Sequence, residues 1–410
     1  MLKTAISLFF ILFACFDASS RQVTIATWNL GWHMDIATAQ RWIDACSKTY
    51  LPAEDNKSWK PSTDPNSTMG WDVQDTFSIV GWDVANLPVC DVYFYKSVLR
   101  VKLDAYRQRQ RQIAQFISRS LPADVIAFQE VSGEQAIREI LPNGGADYEF
   151  CSYDGYKVQR LAIAWKKSLG NVVSCSPEAA LSLPENAAED RPRPGLTLTI
   201  NAGGTSLRIL DVHLKSSCVS PLDGGKLEGV KRDCAILQQQ IDPIERWLER
   251  ETSDGAKVVL LGDFNRNLWH ELRDQSPVRT DGSAPSGPRP AGALSRSLLK
   301  EIVDGQPNES TMTVVGERCQ TNEIGVLLCK ESEIRDLDTA ETGLLGSSNY
   351  LGCRNPVGLD HILVSSGVEP VEPAQHVSIG RLGATRQKSD GTDQYLAISD
   401  HCPLLAKLNF

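Results

Sequence analysis

Apolar, β-branched runs that stop abruptly on polar side chains recur along this chain. The clearest is VVLLGDFNRN, Val258–Asn267. Four consecutive aliphatic residues read as a strand covered on both faces, because a half-solvated strand would alternate apolar with polar positions. Val23–Asn29 (VTIATWN), Asp124–Glu130 (DVIAFQE), Leu207–His213 (LRILDVH) and Leu359–Ser365 (LDHILVS) repeat the pattern. Leu161–Trp165 (LAIAW) and Leu196–Ile200 (LTLTI) alternate more and are expected to be half exposed. Helical spacing lies between these runs. Val230, Cys234, Leu237, Ile241, Ile244 and Trp247–Leu248 share one face, and Pro243 is expected to kink or split that helix. Tyr106, Ile113, Phe116 and Ile117 share another, with Arg107, Arg109, Arg111 and Arg119 expected on its solvated side.

The chain has 410 residues, 41% hydrophobic and 23% charged, which is too apolar for disorder. It is also too long for a single ordinary sandwich of roughly 200–250 residues. It reads as one domain over 21–410 with insertions near 33–98 and 266–356; a small separate domain within the first insertion is the alternative. That insertion is irregular and carries Trp42, Trp59, Trp71 and Trp82, which either line a cleft or, by default, bury in a small core of their own. The net charge of −9 argues against a nucleic-acid binder held by bulk charge, but not against an enzyme that meets phosphate at a metal-armed cleft. Residues 1–20 read as an export signal: Lys3, a short apolar core, then Ala18-Ser19-Ser20. No later apolar run is long enough to span a membrane. The expected location is secreted or periplasmic, with lipid anchoring through Cys15 less favoured. Setting Cys15 aside leaves an even number of cysteines and no C-x-x-C pair, which favours disulfides over zinc. Cys218 with Cys234, and Cys319 with Cys329, would each close a local loop.

Asn29, Glu130, His213, Asp263 and Asn265 each close an apolar run at its C-terminal end. Strands sharing a sheet and a direction would set these groups along one rim. Asp400 and His401 precede the last run, Pro403–Leu408, so that strand would start at the same rim and run the opposite way. Desolvation costs disfavour gathering so many polar groups without a purpose. Carboxylate and amide oxygens are hard donors suited to Mg²⁺, Mn²⁺ or Ca²⁺. Two histidines beside such an ion can stabilise or protonate phosphate oxygens. Phosphate-ester hydrolysis needs this set: a cation, an oriented water and charge relief at the departing oxygen.

TWNLGW, AFQEV, DVHLKS, LLGDFN, GLDHI and ISDHCPL, in that order, resemble the endonuclease/exonuclease/phosphatase superfamily, metal-dependent phosphoesterases that include the pancreatic deoxyribonucleases. The resemblance runs from Val23 to Leu408 with gaps at the insertions. It implies an α/β fold, a four-layer sandwich of two mixed β-sheets face to face with helices outside. It implies metal ligation by Glu130, Asn29 and Asp400. It assigns the attacking water to Asp263, a phosphate oxygen to Asn265, and base or phosphate binding to His401, oriented by Asp360. His213 would bind phosphate and protonate the leaving group, with Lys215 adding charge. One departure stands out: Val158 occupies the place where the deoxyribonucleases carry a glutamate partner for their first histidine. Arg160 beside it either contacts phosphate or caps its strand, and His361 is expected on the opposite strand face.

The resulting expectation is an exported Mg²⁺-dependent phosphodiesterase acting as an extracellular nuclease on DNA or RNA. It would be a monomer without an obligate protein partner. The alternatives are a sphingomyelinase-like phosphodiesterase with a membrane-lipid substrate, a phosphomonoesterase, and a catalytically silent binding module. A serine hydrolase is excluded by the lack of a G-x-S-x-G elbow.

Overall fold

The computed structural model describes residues 21–93, 99–219, 231–273, 297–305, 311–319, 351–355, 358–388 and 393–410. The expected leader and Cys329 lie outside them. Two mixed sheets dominate. The first has eight strands: Glu317–Cys319, Ala374–His376, Leu404–Asn409, Gln22–His33, Val125–Val131, Arg160–Lys166 and Tyr148–Ser152 in spatial order, with Glu369–Pro370 also paired to Leu404–Asn409. The second has six: Met312–Val314, Asp360–Ser365, Lys257–Asp263, Thr205–His213, Gly195–Ala202 and Asn171–Glu178.

Alternate side chains of the central strands explain the uninterrupted apolar runs. Val23, Ile25, Val125, Ala127, Leu161 and Ile163 of the first sheet meet Leu198, Ile200, Ile209, Val259, Leu261 and Ile362 of the second in one inter-sheet layer. The outward residues are covered too. Ala26, Trp28, Ile126 and Phe128 lie under the helix Leu103–Ser120, while Leu210, Val212, Val258 and Leu260 lie under the helix Lys231–Thr252. Helix, sheet, sheet and helix make the four layers. Each fully buried Val, Leu or Ile contributes about 1.5–3 kcal/mol, so these layers carry the stability.

Three local expectations are corrected. LAIAW and LTLTI are wholly buried rather than half exposed. The threonines of the second run lie under the Lys231–Thr252 helix, where the Trp247 indole N–H donates to Thr197 Oγ1 at 3.1 Å. That helix is continuous through Pro243, because Ile241 before it and Ile244 and Trp247 after it are fully buried. Packing on both sides offsets the roughly 3 kcal/mol an interior proline costs. Arg109, expected with the solvated arginines, is 1% exposed; it falls three residues after Tyr106 and four before Ile113, on the buried face of its helix.

The first insertion forms the helix Ile36–Cys46 and a three-stranded sheet of Trp59–Pro61, Thr49–Pro52 and Thr68–Met69, with Cys46 bonded to Cys90. Trp42 and Trp71 meet edge to face at 5.2 Å inside its core, and Trp59 and Trp82 pack partly against Tyr50 and Ile79. Cys218 bonds Cys234 as expected, and Cys151–Cys175 and Cys353–Cys402 complete four disulfides among the described residues. No helix among the described residues is long and apolar enough to cross a membrane.

Candidate active site

Strand direction gathers the polar ends. Gln22–His33 runs parallel to Val125–Val131, and Thr205–His213 parallel to Lys257–Asp263 with His213 opposite Asp263. Asp360 opens an antiparallel strand opposite Asp263, and Leu404 pairs antiparallel with Thr27, which returns His401 to the same end. The rim therefore belongs to two facing sheets rather than to one.

Asp263 stands at its centre. Its Oδ2 accepts from Asn29 Nδ2 across the sheets at 2.9 Å, and its Oδ1 accepts the Asn265 backbone N–H at 2.8 Å. Asn265 makes that turn with φ 51°, a left-handed conformation asparagine tolerates, and its Nδ2 donates to Leu214 O at 3.1 Å. His401 Nε2 and His213 Nε2 each lie 3.6 Å from Asp263 Oδ2. On its other side His401 Nδ1 is 2.8 Å from Asp360 Oδ2, so that nitrogen carries a proton. Ser399 Oγ donates to Asn29 O at 2.6 Å and accepts from His401 N at 2.9 Å, pinning the histidine's loop to the first strand.

The two histidines are driven to opposite charge states. Burial alone would lower His401, but Asp360 and then Asp263 outweigh it and hold its pKa well above the imidazole range. Burial pulls His213 well below that range, helped by Arg193 and His401. Burial pushes Asp263 up to about 7, against the pull of His401. At neutral pH the site thus holds a cationic imidazole, a neutral one and a carboxylate poised between states. His213 Nδ1 is buried without a hydrogen-bond partner among the described residues, and Val158 packs elsewhere, beside the first insertion.

Glu130 and Asp400 flank this cluster. Glu130 takes φ 57° and accepts the Trp32 backbone N–H at 3.2 Å. A Cβ on Gly31 would sit 2.9 Å from Asp400 Oδ1, and Gly31 itself has φ 54°, so only glycine lets that carboxylate approach. Burial raises the pKa of Glu130, Arg193 opposes the rise, and Asp400 adds to it. Burial would raise Asp400 too, but His401 and Arg354 outweigh it. Two hard carboxylates crowded together, with the Asn29 amide nearby, are a donor set and an electrostatic demand that a divalent cation meets. Asp263, Asp360 and His401 also offer ligand atoms within 4.8 Å of one another. Because Asp360 already engages His401 Nδ1, these three read better as an acid–imidazole–acid relay.

Several groups escaped the strand-end pattern. Arg193 donates to Gln159 Oε1 at 2.6 Å, and both act on Glu130. Asn355 Nδ2 donates to Asp400 Oδ2 at 3.2 Å, and the same side-chain amide lies 2.7 Å from His401 Nε2, to which it must turn its oxygen to accept when that imidazole is cationic. Behind the rim, Gln129 donates to Asp211 Oδ1 at 2.7 Å between the sheets, and burial holds Asp211 well above the usual carboxylate range. Lys215 pairs with Asp233 at 2.7 Å. Arg160 is used structurally, donating to the carbonyls of Gly155, Ser132 and Ala85.

His361 points away from the rim, into a buried triad. Its Nδ1 is 2.9 Å from Glu317 Oε1, while Glu317 Oε2 is 2.9 Å from His376 Nε2, which ties one sheet to the other. Burial would raise Glu317, but His361 and His376 overcome it and bring it down to about 2; Glu317 in turn raises His361 against burial. The glutamate's contribution is present above its unfolded value near 4.3 and lost as pH falls toward 2. The histidine's is complete below its unfolded value near 6.5 and lost as pH rises through its raised one. Glu317→Gln is expected to lower the melting temperature most between about pH 4.5 and 6.5. Melting curves across pH check this, and a uniform loss at every pH would contradict it.

A model described as the Endonuclease/Exonuclease/phosphatase family matches residues 84–401. Protein angel homolog 2 of Danio rerio is 24% identical over 384 residues, 81% of this chain and 64% of that protein, so the chain spans under two thirds of that relative's length. Among solved structures, ANGEL2, described as a 2',3'-cyclic phosphatase, is 14% identical with a TM-score of 0.46, covering 96% of both chains. An endonuclease/exonuclease/phosphatase family protein from Bacteroides thetaiotaomicron is 12% identical with a TM-score of 0.45, covering 95% of this chain and 98% of its own. The family match runs through every strand and loop that carries Glu130, His213, Asp263, Asp360 and His401, and the chain belongs to the Endonuclease/Exonuclease/phosphatase family.

Proposed function

We propose that this protein is an exported, divalent-metal-dependent phosphodiesterase that acts as a nuclease on DNA or RNA. The observation that carries the reading is Asp263 held between a neutral His213 and a cationic His401, with Glu130 and Asp400 alongside. A carboxyl group near pKa 7 is matched to taking a proton from water at neutral pH. His401, charged and oriented by Asp360, supplies a donor to the phosphoryl oxygens, where charge develops. His213 faces the same space and binds the ester oxygen on the far side of Asp263. Glu130 and Asp400, with Asn29, would hold the ion, whose chemistry is charge neutralisation at the phosphoryl oxygens. All-oxygen donors favour Mg²⁺, with Mn²⁺ or Ca²⁺ as substitutes. Export is supported by the four disulfides, which persist in oxidising compartments.

For the phospholipid alternative, Trp42 and Trp71 of the first insertion are buried, while Phe77, Val80 and Val84 of the same segment are exposed. A screen of DNA, RNA, sphingomyelin and inositol phosphates with each cation decides between substrates. Cleavage of nucleic acid is expected; inertness toward DNA and RNA with all three ions would refute the nuclease reading. Glu130→Gln is expected to weaken cation binding by at least the roughly 10- to 100-fold that losing a supporting partner costs a metal site. Calorimetric titration of the ion measures this without any turnover, and unchanged affinity would remove Glu130 from the ligand set.

A further inference from the structure

A cavity of about 710 Å³ opens beside Glu130 and Asp400, and Trp32, Tyr93, Arg354, Arg381 and Thr385 help to line it. Trp32 adopts φ 58°, where a bulky side chain is an outlier. Such a conformation persists only when its surroundings impose it, and it clusters at functional sites. Here both backbone groups are engaged: the Trp32 N–H donates to Glu130 Oε2 at 3.2 Å, and its carbonyl accepts from Tyr93 Oη at 3.0 Å. One part of the indole packs on the core around Trp42 and Tyr93, and the half-buried remainder borders the cavity. Arg381 is exposed and makes no ion pair among the described residues, while Arg354 already pairs with Asp400 at 3.0 Å.

We infer that this cavity receives one unpaired nucleobase next to the scissile phosphate, stacked on Trp32, with the neighbouring phosphate of the strand held by Arg381. The inference rests on the nuclease reading and specifies its substrate as single-stranded. A fixed aromatic face takes any base, since every base offers a π surface. The flanking arginines match a polyanionic backbone. A cavity of this volume is in the range that encloses a small-molecule-sized group, so a base must leave its duplex partner to enter.

The test measures KM for a single-stranded oligonucleotide and for the same strand made abasic around the cleaved bond, with the wild type, Trp32→Phe, Trp32→Ala and Arg381→Ala. The wild type is expected to favour the base-carrying strand by roughly 5- to 150-fold, the usual worth of one stacked base. Trp32→Phe is expected to keep most of that ratio and Trp32→Ala to bring it close to one. Arg381→Ala is expected to raise KM on both strands alike. A wild type that cuts both strands with equal KM overturns the inference without any variant, as does a Trp32→Ala protein that keeps the full ratio. A wild type that cuts no nucleic acid fails differently, removing the nuclease reading itself and this inference with it.

Discussion

His401→Ala is expected to lose roughly 10²- to 10⁴-fold in kcat while remaining folded. In the proposed mechanism the side chain removed is the cationic donor; it is held 2.8 Å from Asp360 and 3.6 Å from Asp263. The loop that carries it is fixed by other bonds. Trp28 Nε1 donates to the His401 carbonyl at 3.1 Å, Ser399 Oγ accepts its backbone N–H, and Cys402 next to it is bonded to Cys353. An alanine there keeps all three. Turnover and a melting curve on the same preparation separate loss of chemistry from loss of fold, and near-normal turnover would refute the role given to this histidine. Asp360→Asn supplies the pH arm. Asp360 is the largest influence holding the His401 pKa up against burial, so its neutralisation lowers that pKa. A raised histidine stays cationic until pH climbs through its pKa; the alkaline limb of the rate profile in the variant therefore moves to lower pH. A limb that stays in place would mean another group sets it.

The strand runs and the polar groups that close them were legible because a strand covered on both faces has no freedom to alternate. VVLLG and VTIAT announce burial before any contact is known. The ordering of motifs gave the family resemblance, and with it the layers. Other features depend on facts the local pattern does not contain. LTLTI alternates as a half-solvated strand would, yet its threonines face a helix whose tryptophan satisfies one hydroxyl. Arg109 sits at the spacing of the apolar face, three residues after Tyr106 and four before Ile113, but its charge argues for solvent, and the carbonyls that satisfy it come from distant segments. Asn355 lies in an insertion and reaches His401 because the Cys353–Cys402 bond brings that segment back to the rim. Arg193 and Gln159 lie in connecting segments and matter only through Glu130. Such placements are tertiary. A disulfide, a turn or a carbonyl cluster decides them, and neither periodicity nor run length reports those.

Arg109→Met is expected to destabilise the protein by about 3 kcal/mol or more, since it strands several buried carbonyl acceptors at once. The guanidinium is bonded to backbone rather than to a carboxylate. It donates to the carbonyls of Leu30 at 2.5 Å, Ile398 at 2.8 Å, Ala397 at 2.7 Å and, more weakly, Gly31 at 3.3 Å. Its remaining nitrogen lies 2.9 Å from His33 Nδ1, which must accept, so the proton of that imidazole resides on Nε2 and is given to Ala136 O at 3.2 Å. Burial first and Arg109 second lower His33 well below the imidazole range, in keeping with a neutral ring. The carbonyls belong to two separate segments, the end of the strand Gln22–His33 and the loop that precedes His401. Leu30 and Gly31 set the backbone around which Glu130 and Asp400 meet, and Ala397 and Ile398 lead directly into Ser399 and His401. Methionine fills the space and leaves these acceptors dry, each at a cost of about 1–3 kcal/mol. Lysine keeps the charge but has three donors on one atom and cannot span both segments. Arg109→Lys is therefore expected to recover part of the stability while kcat stays depressed, because His401 and Glu130 are no longer held in one frame. Denaturant unfolding together with kcat measured well below the transition distinguishes the cases. If lysine restored kcat in full, charge alone would suffice and the clamp across the two segments would be wrong.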